Sequence, residues 1–201
     1  FFVFNIIAYF EHNEEKLTSN LIEKLIGGMS IALISDAGTP LISDPGHKLV
    51  SAAYNADISV IPIPGPSSVI AALSTSGLPC IKFVFEGYLP PKEIARRKYL
   101  KTLILEQRTL IFYETPHRIL ASIEDMHTIF GGQRHVTIAR ELTKKHEQIT
   151  RDNLSNIKSK IETSEIKNKG EFVIVLEGNR DDLIKDSEIL RINRILRDKI
   201  S

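Results

Sequence analysis

Between residues 17 and 77 the chain alternates short apolar runs with segments of helical spacing, separated by clusters of glycine, proline and serine. Residues 17–26 carry apolar side chains at helical intervals and stop at Gly27-Gly28, and residues 31–35 predict a short buried strand. Asp44-Pro45 then predicts a helix to about residue 54, with aspartate as N-cap and proline at the first helical position. Residues 58–63 predict the next strand. After Pro64-Gly65-Pro66, Ser67 can cap a helix that runs to Ser76 and stops at Gly77. Parallel neighbours in a sheet need crossover connections, so this strand-helix rhythm predicts a mostly parallel sheet with helices on its faces. The apolar opening, residues 1–10, reads as a further core strand, too short to span a bilayer. It starts without methionine and already inside that strand, so residues are expected upstream.

Leu78-Pro79 interrupts the rhythm, and a domain boundary is expected near residue 79. Beyond it come the aromatic Phe83-Val84-Phe85, a turn-rich loop at 87–91 and a basic helix at 92–105. Residues 109–113, 135–140 and 172–177 predict strands, separated by helices at about 118–130 and 154–164. The chain therefore reads as α/β, with domains at 1–79 and 80–180 and an amphipathic helical tail at 181–201.

A hydrophobic share of 42% and a charged share of 25% match an ordinary soluble domain, which excludes wholesale disorder. With a formal net charge of +1, no overall field marks a polyanionic partner, so any nucleic-acid surface must be a local patch. A lone cysteine, Cys80, excludes an internal disulfide, fits a reducing compartment and reads as a small buried apolar residue. The six histidines show no metal-ligand spacing.

Ser-Asp-x-Gly occurs twice after the strand expected at 31–35, as Ser35-Asp36-Ala37-Gly38 and Ser43-Asp44-Pro45-Gly46. Ligands of open α/β sheets bind beyond the carboxyl ends of strands, where this loop is expected to lie. Glycine lets backbone approach a ligand closely, Asp36 can accept hydrogen bonds from hydroxyl or amine groups, and a following helix start offers amide donors. A second such loop, Ile63-Pro64-Gly65-Pro66-Ser67-Ser68, follows the next expected strand. Tight structural turns would use the same residues. Neither loop matches the phosphate-loop or dinucleotide-binding pattern.

In order along the chain come Ser35-Asp36-Ala37-Gly38-Thr39-Pro40, Ser43-Asp44-Pro45-Gly46, Pro64-Gly65-Pro66-Ser67, Gly87-Tyr88-Leu89-Pro90, Tyr113-Glu114-Thr115-Pro116-His117-Arg118, Ala139-Arg140-Glu141-Leu142-Thr143-Lys144 and Gly170-Glu171-Phe172. Over about residues 9–178 this set resembles the tetrapyrrole (corrin/porphyrin) methylase family, and within it the branch that methylates a cytidine ribose 2′-hydroxyl in the decoding region of 16S rRNA. The resemblance implies two α/β domains of the tetrapyrrole methylase type with a cofactor cleft between them. It also implies S-adenosylmethionine as cofactor, no metal, 16S rRNA or the small ribosomal subunit as partner, and a cytoplasmic homodimer. The family's opening strand with its Pro-Ile-Gly-Asn-like loop, and its Ala-Glu-Asp-Thr-Arg-like segment, are not in this chain.

Carried over by motif, Asp36, Ala37, Gly38, Thr39 and Pro40 would line the cofactor mainly through backbone groups, with Ser67 beside them. Tyr113, Glu114 and Thr115, and Ala139, Arg140 and Leu142, would approach it from the second domain. Methyl transfer to a hydroxyl is an in-line displacement, so it needs alignment and a proton acceptor. Glu114, Glu141, Glu147 and a lysine of depressed pKa, Lys144, are candidates, and surface ion pairs are their alternative role. His117 and His146 can contact phosphate or cap helices. The best RNA patch is Lys92, Arg96, Arg97, Lys98 and Lys101, with Tyr99, on one expected helix whose acidic partner is Glu93; Arg118, Lys144 and Lys145 extend it. A tetrapyrrole-like small substrate, or a non-catalytic module binding cofactor or RNA, are the competing readings.

Overall fold

The computed structural model describes residues 5–180, so residues 1–4 of the expected opening strand and the expected tail helix at 181–201 lie outside the described residues. The chain divides into two compact units at Ser67/Ser68, ahead of the boundary expected near residue 79. The difference comes from helix α3 (Ser68–Thr75). Its Val69, Ala72 and Leu73 are buried with Ile111, Ala139, Val173 and Val175 of the later sheet, so α3 belongs with that sheet.

The first unit holds α1 (Glu14–Ile26) and α2 (His47–Asn55), packed through Leu21, Leu49 and Ala53. The strands expected at 31–35 and 58–63 are absent, and no strand occurs in this unit among the described residues. Apolar run length signals a preference for burial in a sheet, but a strand also needs a neighbour to complete its ladder. Here Ile34 is 82% exposed and Ile63 is 84% exposed. Nor does α2 begin at Asp44-Pro45. It begins at His47, with Gly46 at the cap at φ 134°. Glycine is required there twice over, by the backbone angle and because a Cβ would lie 2.7 Å from Leu33 Cδ2 and 2.8 Å from Leu41 Cδ1. The cap is supplied at long range: Glu14 Oε1 accepts hydrogen bonds from the amides of Gly46 (3.0 Å) and Lys48 (3.3 Å). A carboxylate at a helix N-terminus satisfies free donors and opposes the helix dipole.

The second unit is a five-stranded sheet of β1 (Phe83–Tyr88), β2 (Thr109–Glu114), β3 (His135–Arg140), β4 (Gln148–Asn153) and β5 (Phe172–Leu176), in the order β1-β2-β5-β3-β4. Only β1 and β2 pair in parallel, so the sheet is mixed rather than mostly parallel. Strand alternation builds two cores. Leu110, Phe112, Val136, Ile138, Phe172, Ile174 and Leu176 face α4 (Glu93–Thr102), α5 (Ile119–Phe130) and α6 (Leu154–Glu162), while Ile111, Ala139, Val173 and Val175 face α3. Strand β4 was not expected from the sequence. As an edge strand it is polar, Gln-Ile-Thr-Arg-Asp-Asn, and little buried. Cys80, read as buried, is exposed on the connection into β1.

Helix α4 is joined to α5 by a buried ion cluster. Asp125 takes Arg96 Nε on Oδ2 and Arg97 Nε on Oδ1, each at 2.6 Å, and Arg96 Nη1 also reaches the Pro91 carbonyl at 3.3 Å. The side chains of Asp125 and Arg96 are 2% and 5% exposed. Asp125→Ala leaves Arg96 buried without its counter-charge and is expected to destabilise the protein by about 3–5 kcal/mol. Urea unfolding measures this; a loss below about 1 kcal/mol, the size of an exposed pair, would mean that the cluster does not brace the two helices.

Candidate functional site

Strands β1, β2 and β3 run in the same direction because β5, antiparallel to both β2 and β3, lies between them. Their carboxyl ends therefore meet at one end of the sheet, where Phe172 pairs with Glu114 on one side and Arg140 on the other, and Tyr88 pairs with Tyr113. Tyr113-Glu114-Thr115 and Ala139-Arg140-Glu141-Leu142, distant in sequence, are brought together there. Partly buried Tyr113 and Leu142 pack on the α3-side core, and the Tyr113 hydroxyl is 2.8 Å from Ser68 Oγ at the start of α3.

Several residues singled out from the sequence hold this end of the sheet together. Glu114 is fully buried: Oε1 accepts from the Thr115 amide (2.7 Å) and Arg118 Nη2 (3.0 Å), and Oε2 accepts from Ser122 Oγ (2.6 Å). Both oxygens are occupied, so the geometry suits a brace better than a base. Arg118 also donates from Nε to Thr115 Oγ1 (3.2 Å) and from Nη1 to the Leu89 carbonyl (3.2 Å), tying the loops after β1 and β2 together. Buried Arg140 donates to the carbonyls of Lys169 (2.5 Å) and His146 (2.9 Å).

The loop joining β3 to β4 carries the other candidates. Lys144 Nζ contacts Glu171 Oε2 at 2.8 Å and Glu141 Oε1 at 3.0 Å. The hydrogen bond to Glu171, then that to Glu141, holds the Lys144 pKa above its ordinary value, which corrects the expectation of a depressed one. The Glu171 amide, then Lys144, holds Glu141 below the ordinary carboxylate value. Glu141 and Thr143 stand at φ 51° and 64°, and the Thr143 amide donates to Glu147 Oε2 at 2.6 Å. Glu147, Lys145, His146 and His117 are exposed.

On α4 the expected basic face is narrower than the sequence implies. Arg96 is buried on Asp125, and Arg97 is paired with Asp125 and with Glu93 at 3.1 Å. Helical spacing reveals partners on α4 alone, whereas the carboxylate that takes both arginines, Asp125, comes from α5. Tyr99 points to Glu86, to which its hydroxyl is hydrogen-bonded. Lys92, Lys98 and Lys101 are exposed and form no ion pair among the described residues.

In the first unit, Asp36, Ala37, Gly38 and Thr39 form an exposed loop. Ser35 Oγ hydrogen-bonds with the Ala37 carbonyl (2.9 Å) and amide (3.3 Å) to shape it, and Thr39 Oγ1 donates to the Pro66 carbonyl at 2.9 Å. The two Gly/Pro-rich loops identified in the sequence are thus bound to each other. Gly38 stands at φ +77°, and a Cβ added there would meet nothing within 4 Å. No atom therefore stands between the Gly38 backbone and solvent, so a bound group could approach it closely. Among the described residues no cluster of His, Cys, Asp and Glu could hold a metal ion.

The sequence reading missed Glu14, Asp125 and Tyr88. Nothing local reveals the first two, since their partners lie far along the chain. Tyr88 was legible in part: Gly87 within an aromatic strand signals a bulge that redirects the residue after it.

Similarity to known proteins agrees with this layout. The chain is 50% identical over 196 residues to ribosomal RNA small subunit methyltransferase I of Xylella fastidiosa strain Temecula1, covering 97% of this chain and 72% of that protein. It is 48% identical to the protein of the same name from Vibrio cholerae, covering 87% of this chain and 60% of that one. Among solved structures, the methyltransferase CobJ superposes with a TM-score of 0.59 at 17% identity, over 80% of this chain and 70% of that one. Uroporphyrin-III C-methyl transferase from Thermus thermophilus, complexed with S-adenyl homocysteine, gives 0.56 at 14% identity over 85% of this chain and 75% of that one. These two show the shared fold. Residues 7–158 match the family Tetrapyrrole (Corrin/Porphyrin) Methylases, and with the half-identical relative this establishes that the chain belongs to that family.

Proposed function

We propose that the protein transfers a methyl group from S-adenosylmethionine to a ribose 2′-hydroxyl of small-subunit ribosomal RNA, at a cytidine of the decoding region. The observation that carries this is the 50% identity, over 97% of this chain, to a relative named for methylation of that RNA. Fold neighbours at 14–19% identity show the fold and favour no particular substrate, so the reading rests on the much more similar rRNA methyltransferases. An RNA substrate of this kind supports a cytoplasmic location, and no helix among the described residues is long and apolar enough to cross a membrane. We take the working form to be a homodimer, as the family resemblance implies.

The open space at Gly38 fits a close-lying cofactor, and the backbone of residues 36–40 would hold it. When bound, S-adenosylmethionine supplies an electrophilic methyl group on a sulfonium. The chain's own task is to align the hydroxyl and accept its proton. Of the candidate acceptors, Glu114 is engaged on both oxygens and Lys144 keeps its charge, while Glu147 is exposed and accepts from the Thr143 amide on Oε2. Lys92, Lys98 and Lys101 offer unpaired charge for RNA phosphates, with Lys145 exposed on the loop after β3.

Gly38→Val is expected to weaken S-adenosylhomocysteine binding in calorimetric titration, and separately to lower stability by roughly 1–2 kcal/mol, the cost of a Cβ on a left-handed backbone. Unchanged affinity in a folded variant removes this loop from the site. The triple variant Lys92→Ala, Lys98→Ala, Lys101→Ala should lower the slope of log RNA affinity against log salt by about 2–3, at roughly 0.7–0.9 per phosphate contact. An unaltered slope would show these lysines to be a merely solvated face. A raised lysine pKa means that the charged form persists through neutral pH and is lost only as pH rises past it, so Lys144 acts as a cation. Lys144→Arg, which keeps the charge and cannot deprotonate, should therefore retain methyl transfer in a labelled-methyl assay on small subunits; abolished turnover with intact RNA binding would restore Lys144 as the base.

A further inference from the structure

Strand β1 carries a bulge that turns an aromatic residue out of its natural alternation. Phe85 pairs with Ile111, whereas Gly87 pairs with Phe112 and Tyr88 with Tyr113, so Glu86 is one residue too many on the β1 side. Gly87 takes up the bend at φ 66°. In an unbroken strand, residues three apart point to opposite faces. The extra residue puts Phe85 and Tyr88 on the same face, flanking Tyr113 with ring centroids at 4.9 Å and 5.5 Å from it. Tyr113 is in turn fixed by its hydrogen bond to Ser68. The result is an aromatic ledge at the carboxyl ends of β1 and β2, whose outer member, Tyr88, is 48% exposed.

A large, half-exposed ring backed by a rigid second ring offers a π-face at little entropic cost. What it meets is indicated by its surroundings. The chain runs from Tyr88 through Leu89-Pro90-Pro91 to Lys92, a span of at most about 14 Å, and the unpaired lysines of α4 begin there. The Leu89 carbonyl is held by Arg118 and the Pro91 carbonyl by Arg96, so this connection is fixed at both ends. Burial, then the negative charge of Glu171, raises the pKa of the Tyr88 hydroxyl, so the ring stays neutral through the working range; Glu171 itself is paired with Lys144. An exposed aromatic ring joined by one short connection to unpaired cations supplies the two elements that hold single-stranded nucleic acid, in which bases stack on side chains while cations follow the backbone.

We propose that Tyr88, supported by Tyr113, stacks an unpaired nucleobase of the RNA substrate while Lys92 and its neighbours take the adjoining phosphates; this rests on the RNA reading given above. The whole 201-residue chain is tested against an unmodified 16S rRNA transcript, with S-adenosylhomocysteine titrated separately. Tyr88→Ala and Tyr88→Leu should each weaken RNA affinity by roughly 5- to 150-fold, the range for loss of one base-aromatic stack, and Tyr88→Phe should stay close to the parent. The salt slope should not change, since stacking releases no counterions. Leucine keeps the apolar bulk, so equal affinity of Tyr88→Leu and the parent protein overturns the proposal even if the alanine variant folds poorly. Loss of S-adenosylhomocysteine affinity with RNA affinity intact would assign the ledge to the cofactor's adenine and also overturn it. Failure of the parent protein to bind the transcript at all would instead sink the RNA reading itself.

Discussion

Insertion of β5 between β2 and β3 organises everything that follows in the second unit. Phe172 pairs with Glu114 on one side and Arg140 on the other, so the ladders of a single buried strand bring two loops together at one end of the sheet. All five residues of β5 are buried, as an apolar Phe-Val-Ile-Val-Leu strand covered on both faces must be. Its antiparallel sense leaves β1, β2 and β3 running in the same direction, which is why their carboxyl ends, with Tyr88, Tyr113 and the Glu141–Lys144 pair, share one neighbourhood.

Much of the charge at that neighbourhood is spent on structure. Glu114, Arg118 and Ser122 close the loop after β2, Arg140 braces the loops at 141–147 and 163–171, and Asp125 gathers Arg96 and Arg97 between α4 and α5. A buried charge must be paired and hydrogen-bonded, so Glu114, Arg140, Asp125 and Arg96 cannot also serve a ligand without losing their partners. What remains available is smaller: three lysines of α4, the loop carrying Lys145 and Glu147, and the exposed edge of Tyr88. The basic helix thus divides into a half that holds the fold and a half that faces solvent, a division that charge counting along one helix does not reveal.

The second unit was legible from its sequence where period and composition agree. The segment 135–140 is a strand with the expected bounds, and the expected strands at 109–113 and 172–177 differ from the observed ones by a residue. These segments are apolar and β-branched, and both sheet faces are covered. The edge strand β4 was missed because one polar side of it needs no burial, and a polar hairpin arm has no hydrophobic signature. In the first unit the same apolar signal overstated the outcome: residues 31–35 and 58–63 have the composition of strands without a paired neighbour among the described residues. The Gly/Pro loops beside them were nonetheless identified as a pair, and the Thr39 to Pro66 hydrogen bond joins them.

By itself the sequence determined the helices, the apolar strands of the second unit, the Gly/Pro-rich loops and the family, because these depend on local periodicity, turn chemistry and motif order. Tertiary structure decided the order of the sheet, the assignment of α3 to the second unit and the partner of every buried charge. It also decided the placement of Tyr88, through the one-residue bulge opposite Ile111 and Phe112. The physical reason is that pairing is non-local. A ladder or an ion pair joins residues whose separation along the chain carries no periodic signal, and closing such contacts is rewarded only when the whole core closes with them.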